Sequence, residues 1–447
     1  MTSTLRRATG FALVGSLSLA VPFTGRVEEP ALATVAAAGP FLLVGAIALG
    51  VKPDSIVFEL FARPGDRRDG TLYGLAGFAL AAAGLAILAV QFGLPSQVYV
   101  AAVVLLAWGN LGGMLVRTRR PEPVLATGGF VLVGFLAALL GQIAVAEPVG
   151  SSDAVEVFAF IAASGALLAA LLREALFQRD DPLVMVTVAL LLWLFASLEV
   201  TASSTRIGVA LAATAALGLL SFRLETASLP GMLTGVLLAL LTLVLGDYGW
   251  FAMLVAFFGI GGLSTKYAYD DKLARGIAEP NEGARGTGNV LANSLVALLA
   301  VLAAAASQDL ALSRELFLFA FAGSLAAALA DTLSSEIGGL YDRPRMITTF
   351  RVAEPGTDGA VTWQGEVAGV VGSGVVALLG VGLVASVGAS GSLVILLAGL
   401  VGMTVDSLLG ALLEGWLLGN QGVNLLATLS AAVFAAALAT ALGIVPV

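Results

Sequence analysis

The chain has 447 residues, 59% of them hydrophobic and only 12% charged, with a mean hydropathy of +0.99, so it cannot clothe a soluble globule in an ordinary polar surface. Its formal net charge of −8 argues against nucleic acid as a partner, and it contains neither histidine nor cysteine. That absence excludes disulfides, zinc-thiolate sites, thiolate nucleophiles and any imidazole general base.

Apolar runs of membrane-crossing length recur along the whole sequence. The expected fold class is therefore all-α, a polytopic transmembrane bundle of about fifteen spanning helices. In chain order the spans are 9–24, 31–51, 71–92, 97–116, 124–145, 154–173, 182–201, 207–222, 229–246, 249–264, 288–306, 315–333, 365–386, 392–413 and 424–445. With Arg6 and Arg7 on the cytoplasmic side and the spans alternating, every lysine and arginine except Arg26, Arg206 and Arg314 falls inside, as basic loops should. The N-terminus is then cytoplasmic and the C-terminus outside. The apolar stretch after Arg7 reads as a retained first helix rather than a cleaved signal.

Residues 1–204 are expected to form an additional N-terminal membrane domain. Its helices are plain Ala, Leu, Val and Gly, and Asn110, Gln142 and Glu199 lie near helix ends, where interhelical hydrogen bonding or interfacial exposure accounts for them. The Gly65–Arg68 and Arg117–Arg120 loops read as topology signals. Residues 205–447 differ: their loops lengthen to about twenty and about thirty residues, a length more often functional than incidental.

Three polar clusters interrupt the apolar pattern of this second half, and the alternation puts all three on the cytoplasmic face. The first runs from Lys266 to Asn293 and holds two of the three lysines in the chain. Lys266, Lys272 and Arg285 near small residues make a phosphate cradle, with Asn289 and Asn293 four apart on one helix face; the plain alternative is a positive-inside loop. The second, Asp331-Thr-Leu-Ser-Ser335-Glu336-Ile-Gly-Gly339, puts two carboxylates and two hydroxyls at a helix end. Asp331 and Ser335 share a face and Glu336 lies about 140° round, with Gly338-Gly339 as a break that would return it to the same site. Carboxylate and hydroxyl oxygens suit a hard cation such as Mg²⁺ shared with substrate phosphates. Arg343, Arg345 and Arg351 follow with guanidinium forks that match phosphate; a solvated helix end is the alternative. In the third, Asp406-Ser-Leu-Leu-Gly410-Ala-Leu-Leu-Glu414, Asp406 sits inside the apolar run, where a charge needs a partner or a job, either as an active group or as structural glue. Asn420 and Asn424 follow.

Phosphoryl transfer onto an existing phosphate needs no strong base, because the attacking oxygen is already anionic; positioning, a metal and cationic clamps supply the catalysis. Such chemistry runs without histidine or cysteine.

The stretches Gly262-Leu-Ser-Thr-Lys266, Arg285 to Asn293, Asp331-Thr-Leu-Ser-Ser-Glu336-Ile-Gly, Asp406-Ser-Leu-Leu-Gly-Ala and Asn420 to Asn424 resemble an integral membrane family that includes plant phytyl-phosphate kinase. The resemblance covers about residues 205–447 and extends more distantly to polyprenol kinases and CDP-lipid synthases. It implies transfer of a phosphate from a nucleoside triphosphate, CTP favoured, to an isoprenyl monophosphate at the cell membrane. On that reading Asp331, Glu336 and Asp406 hold Mg²⁺. Lys266, Lys272 and Arg285 hold nucleotide phosphates, with Ser335 and Asn424 in the same phosphate-binding set. Asn289 and Asn293 orient phosphate or metal-bound water, while Arg343 and Arg345 clamp the acceptor phosphate. Two rivals stand beside it: a cytidylyltransferase making a CDP-lipid, and a transporter of an ion or lipid phosphate.

Overall fold

The computed structural model describes residues 3–149, 155–175, 181–198, 200, 202–224, 227–278 and 286–446, and 80% of the protein is helical. In an apolar solvent a helix is the one open-ended way for a segment to satisfy its own backbone polar groups. Thirteen helices among the described residues are long and apolar enough to cross a membrane. Two more of the expected spans exist as apolar helices of 17 residues, Asp181–Ser197 and Leu229–Leu245, about 25 Å each. The second is cut short because Gly246 ends it with ψ −121° and Asp247 already caps the next helix, accepting from the Gly249 N–H at 2.8 Å.

The chain divides into two compact units, Met1–Leu198 and Glu199–Val447. The first contains α1 (Ser3–Ser16), which continues as a 3₁₀ helix (Leu17–Arg26), α2 (Pro30–Gly50), the short α3 (Ile56–Phe61) and α4 (Pro64–Asp69), then α5 (Tyr73–Gln91), α6 (Ser96–Arg117), α7 (Pro123–Val149), α8 (Val155–Ala175) and α9 (Asp181–Ser197). The Gly65–Arg68 segment is the helix α4, set by Asp66, which accepts from the Arg63 N–H at 2.9 Å. Arg63 and Arg173 both reach the Asp181 carboxylate, at 3.0 and 3.4 Å. Gln142 is buried and donates to the carbonyls of Ala138 and Phe158, joining α7 to α8. Glu199 lies outside the described residues.

The second unit contains α10 (Ser204–Leu224), α11 (Leu229–Leu245), α12 (Tyr248–Lys266), the short α13 (Tyr269–Ala274), α14 (Thr287–Ala305), α15 (Arg314–Gly338), α16 (Trp363–Leu383), α17 (Gly388–Leu413) and α18 (Asn420–Ala441). Helix α15 is its axis, packing against α12, α14, α16, α17 and α18. Small residues let these helices approach closely. A Cβ built on Gly402 would collide with the Ala327 Cβ, and one on Gly323 would lie 2.7 Å from the Ala435 Cβ. Between α15 and α16 lies an antiparallel hairpin of β1 (Arg345–Met346) and β2 (Ala360–Val361), with Arg345 opposite Val361. Strands of two residues are too short for an alternating pattern to announce them.

Two arginines that broke the basic-inside pattern have a local task. Arg206 donates to the Val244 carbonyl at 3.2 Å, and Arg314 to the Leu245 and Gly246 carbonyls at 2.7 and 3.1 Å. Both cap the C-terminus of α11, where cations satisfy orphan carbonyls and oppose the helix dipole.

Candidate functional site

At the opposite end of α15 from Arg314, the C-terminal turns of α15 and α17 meet the N-terminal turns of α14, α16 and α18, with α13 and the hairpin alongside. They enclose a cavity of about 480 Å³. Helix ends dominate its walls, so both unpaired backbone groups and polar side chains concentrate there.

Asp331 of α15 and Asp406 of α17 are within side-chain hydrogen-bonding reach of each other across this cavity. The contact between Gly402 and Ala327 lies one helical turn before both, and so sets how far apart the two carboxyl groups stand. One oxygen of Asp406, Oδ1, is buried with no hydrogen-bond partner among the described residues. Two adjacent carboxylates need a shared proton or a cation. Glu414, just beyond the end of α17, also lines the cavity, and its carboxyl is raised above the ordinary range by burial, then by the charges of Asp358 and Asp331.

Facing these acids are the N-terminal turns of α14 and α18. Their N-cap residues are Gly286 and Gly419, both in extended conformation and without a capping side chain. The first turns therefore keep N–H groups and the positive end of the dipole for the cavity, an arrangement that favours anions. Asn289 and Asn293 line the cavity from α14, and Asn293 Nδ2 donates to the Asn289 carbonyl at 2.9 Å. On α18, Asn424 Nδ2 donates to Asn420 Oδ1 at 3.0 Å. The two helix starts touch, since a Cβ on Gly288 would strike the Gln421 amide.

Lys272 and Glu336 also line the cavity but are engaged with each other. The Lys272 ammonium is ion-paired with the Glu336 carboxylate and donates to the Ser264 carbonyl at 2.7 Å and the Thr265 carbonyl at 3.5 Å. A left-handed turn at Ala268, φ 50°, sends α13 back toward the end of α12 and makes these bonds reachable.

Of the residues singled out in the sequence, Asp331, Glu336, Asp406, Lys272, Asn289, Asn293, Ser335 and Asn424 are brought to the cavity wall. Helix α15 runs unbroken through Glu336 to Gly338, so no break returns Glu336 to the Asp331 face. Three others stand apart from the cavity. Lys266 donates to the Leu224 carbonyl at 2.8 Å, Arg345 Nη1 donates to the Phe350 carbonyl at 2.8 Å within the hairpin, and Arg343 is exposed at φ 61° in the preceding loop. Arg285 lies outside the described residues. Asp358, absent from the sequence-derived candidates, is delivered to the cavity by the hairpin between Gly356 and Gly359, both at positive φ. The run Pro355-Gly-Thr-Asp358-Gly359 is a turn signal that would have found it.

No three acidic side chains among the described residues converge tightly enough to hold a metal unaided. Mg²⁺, however, ordinarily takes one or two carboxylates and completes its shell with water and phosphate oxygens. Asp331 and Asp406, with the orphaned Asp406 oxygen, fit that requirement, whereas Glu336 is occupied by Lys272.

Residues 212–432 match the family model described as Integral membrane protein DUF92. The chain is 36% identical over 205 residues to an uncharacterised membrane protein of Methanocaldococcus jannaschii, a match covering 44% of this chain and 80% of that one. It is 33% identical over 183 residues to an uncharacterised membrane protein of Synechocystis, covering 39% and 69%. It is also 32% identical over 154 residues to the chloroplastic protein VTE6 of Arabidopsis thaliana, covering 34% and 46%, less than half of that relative. No solved structure matches.

Proposed function

As a member of the DUF92 integral membrane family, the protein is one for which we propose prenyl-phosphate chemistry: its second unit transfers a phosphoryl group from a nucleoside triphosphate, preferably CTP, to an isoprenyl monophosphate such as phytyl or geranylgeranyl phosphate. The reaction takes place at the cytoplasmic face of the membrane. The observation that carries this reading is the single cavity in which Asp331 and Asp406 face two asparagine-bearing helix N-termini. Similarity to the chloroplastic VTE6 and the resemblance to a family that includes phytyl-phosphate kinase support the acceptor class.

In the transfer, an anionic oxygen of the acceptor phosphate forms a bond to the γ-phosphorus, and the bond from that phosphorus to the β–γ bridging oxygen breaks. The electron pair leaves on the nucleoside diphosphate, so no side chain need remove a proton. Asp331 and Asp406 would hold Mg²⁺, which when bound neutralises charge on the nucleotide phosphates. The first turns of α14 and α18, with Asn289, Asn293 and Asn424, orient phosphate oxygens by N–H donors that cost no reorganisation. Lys272 acts through Glu336, fixing the turn that closes one wall.

Purified protein given Mg²⁺, phytyl or geranylgeranyl phosphate and each of CTP, ATP, GTP and UTP should yield the prenyl diphosphate and a nucleoside diphosphate. Release of pyrophosphate with a CDP-lipid instead would make it a cytidylyltransferase. No product with any nucleotide overturns the transferase reading.

A further inference from the structure

A second cavity, about 260 Å³, lies between α10, α11 and α12. Its character is opposite to the first: Leu217, Leu220, Met232, Val236, Leu254 and Phe258 dominate the wall, and Ser221 alone brings a polar side chain. Four glycines hollow it from facing helices, Gly231 and Gly235 on α11 and Gly259 and Gly262 on α12. A Cβ on Gly259 would meet nothing within 4 Å, and one on Gly235 only the Phe258 ring at 3.9 Å. The lining spans Gly231 to Ala239 on one helix and Leu254 to Leu263 on the other, a slot about 12–14 Å long.

This slot adjoins the polar cavity at the start of α14 and near the end of α12. At the start of α14, Val290 lines the slot while its neighbour Asn289 lines the polar cavity. At the end of α12, Gly262 and Leu263 line the slot, while the next two carbonyls, of Ser264 and Thr265, hold the Lys272 that lines the polar cavity. Lys266 bonds the carbonyl of Leu224, another slot residue, and so ties α10 to α12 at that end. A molecule with an anionic head among the N-terminal turns would pass over the first turn of α14 and lay an apolar chain into the slot.

We propose that the slot between α10, α11 and α12 is the binding site for the hydrocarbon chain of a phosphate-headed isoprenoid lipid. The identity of the head rests on the function proposed above; the place of the chain rests on the adjacency of the two cavities across the first turn of α14. Selectivity for long acceptors over short ones would come from how fully the chain fills the slot, since a chain already in the bilayer gains no hydrophobic energy by leaving it.

The absence of cysteine makes the test direct. G259C and L220C each introduce a unique thiol into the slot, and G374C places one on α16, where a Cβ meets nothing within 4 Å. Alkylation by a membrane-permeant maleimide is followed in detergent-solubilised protein. At about ten times its Kd, geranylgeranyl phosphate should slow labelling of G259C and L220C about tenfold and leave G374C unchanged. Inorganic phosphate, isopentenyl phosphate and phosphatidylglycerol should protect neither slot thiol. Absence of protection by geranylgeranyl phosphate, equal protection by phosphatidylglycerol, or equal slowing of G374C each overturns the slot. Protection without phosphoryl transfer from any nucleotide keeps the slot and defeats the transferase reading.

Discussion

Lys272 and Glu336, 64 residues apart, form an ion pair in which the lysine side chain is 1% and the glutamate 12% exposed. Removing the lysine takes the ion partner from a largely buried carboxylate and one donor from each of two helix-end carbonyls. K272M should therefore cost about 3–5 kcal/mol of stability, read as a lower unfolding temperature in detergent. K272M/E336Q should recover part of that loss, because the pair is coupled. Strict additivity of the two single variants would show that the pairing contributes nothing.

Asp331 and Asp406 repel each other unless a proton or cation lies between them. D331N and D406N should each lower transfer activity on the order of 100-fold or more while keeping the helical circular dichroism. Mg²⁺ should raise the unfolding temperature of the unmodified protein but not of D406N, which in metal-free buffer should unfold later than the parent. An equal Mg²⁺ response in both would place the cation elsewhere.

Glu414 holds its proton more tightly in the folded protein than in the unfolded chain, because burial and the charges of Asp358 and Asp331 raise its carboxyl above 4.5. Between that ordinary value and the raised native one, the folded state binds more protons, so stability from this group falls as pH rises through the window. E414Q should flatten the pH dependence of the unfolding temperature there and be the more stable form above it. A steeper dependence in E414Q would contradict the assignment.

Arg314 caps the end of α11 and lies 5.8 Å from the Trp250 ring centroid. R314Q should cost about 1–2 kcal/mol without altering the KM for nucleotide, since the cavity is at the other end of α15. A selective change in KM would mean that this end communicates with the site.

The helical class and most spans were legible because lipid leaves a spanning segment little choice of structure. Asp331 and Asp406 were legible for a related reason: a carboxylate in an apolar run is conspicuous. Lys272 and Glu336 were conspicuous too, yet each was assigned to a ligand, because their pairing depends on a left-handed turn at Ala268 that no helical spacing reveals. Lys266 looked like its neighbour in composition and was sent instead to Leu224 by the geometry of α10. Asp358 was missed because loop residues reach a site by way of a hairpin only two residue pairs wide. The expected spans 229–246 and 249–264 match α11 and α12 to within one or two residues at each end, because Gly246 and Asp247 leave a two-residue junction between the helices.

The contact of Gly402 with Ala327 gives the site an unexpected control point. The approach of α15 and α17 one turn from Asp331 and Asp406 is made by two residues that carry no charge. A methyl group added at Gly402 would press on Ala327 of α15 and Ala431 of α18 one turn from the acids, and on the proposed Mg²⁺ reading would widen the space between the two carboxyl groups. Discrimination between cations of the same charge would then be inherited from the girth of the helices, and a lineage could retune it without touching either aspartate.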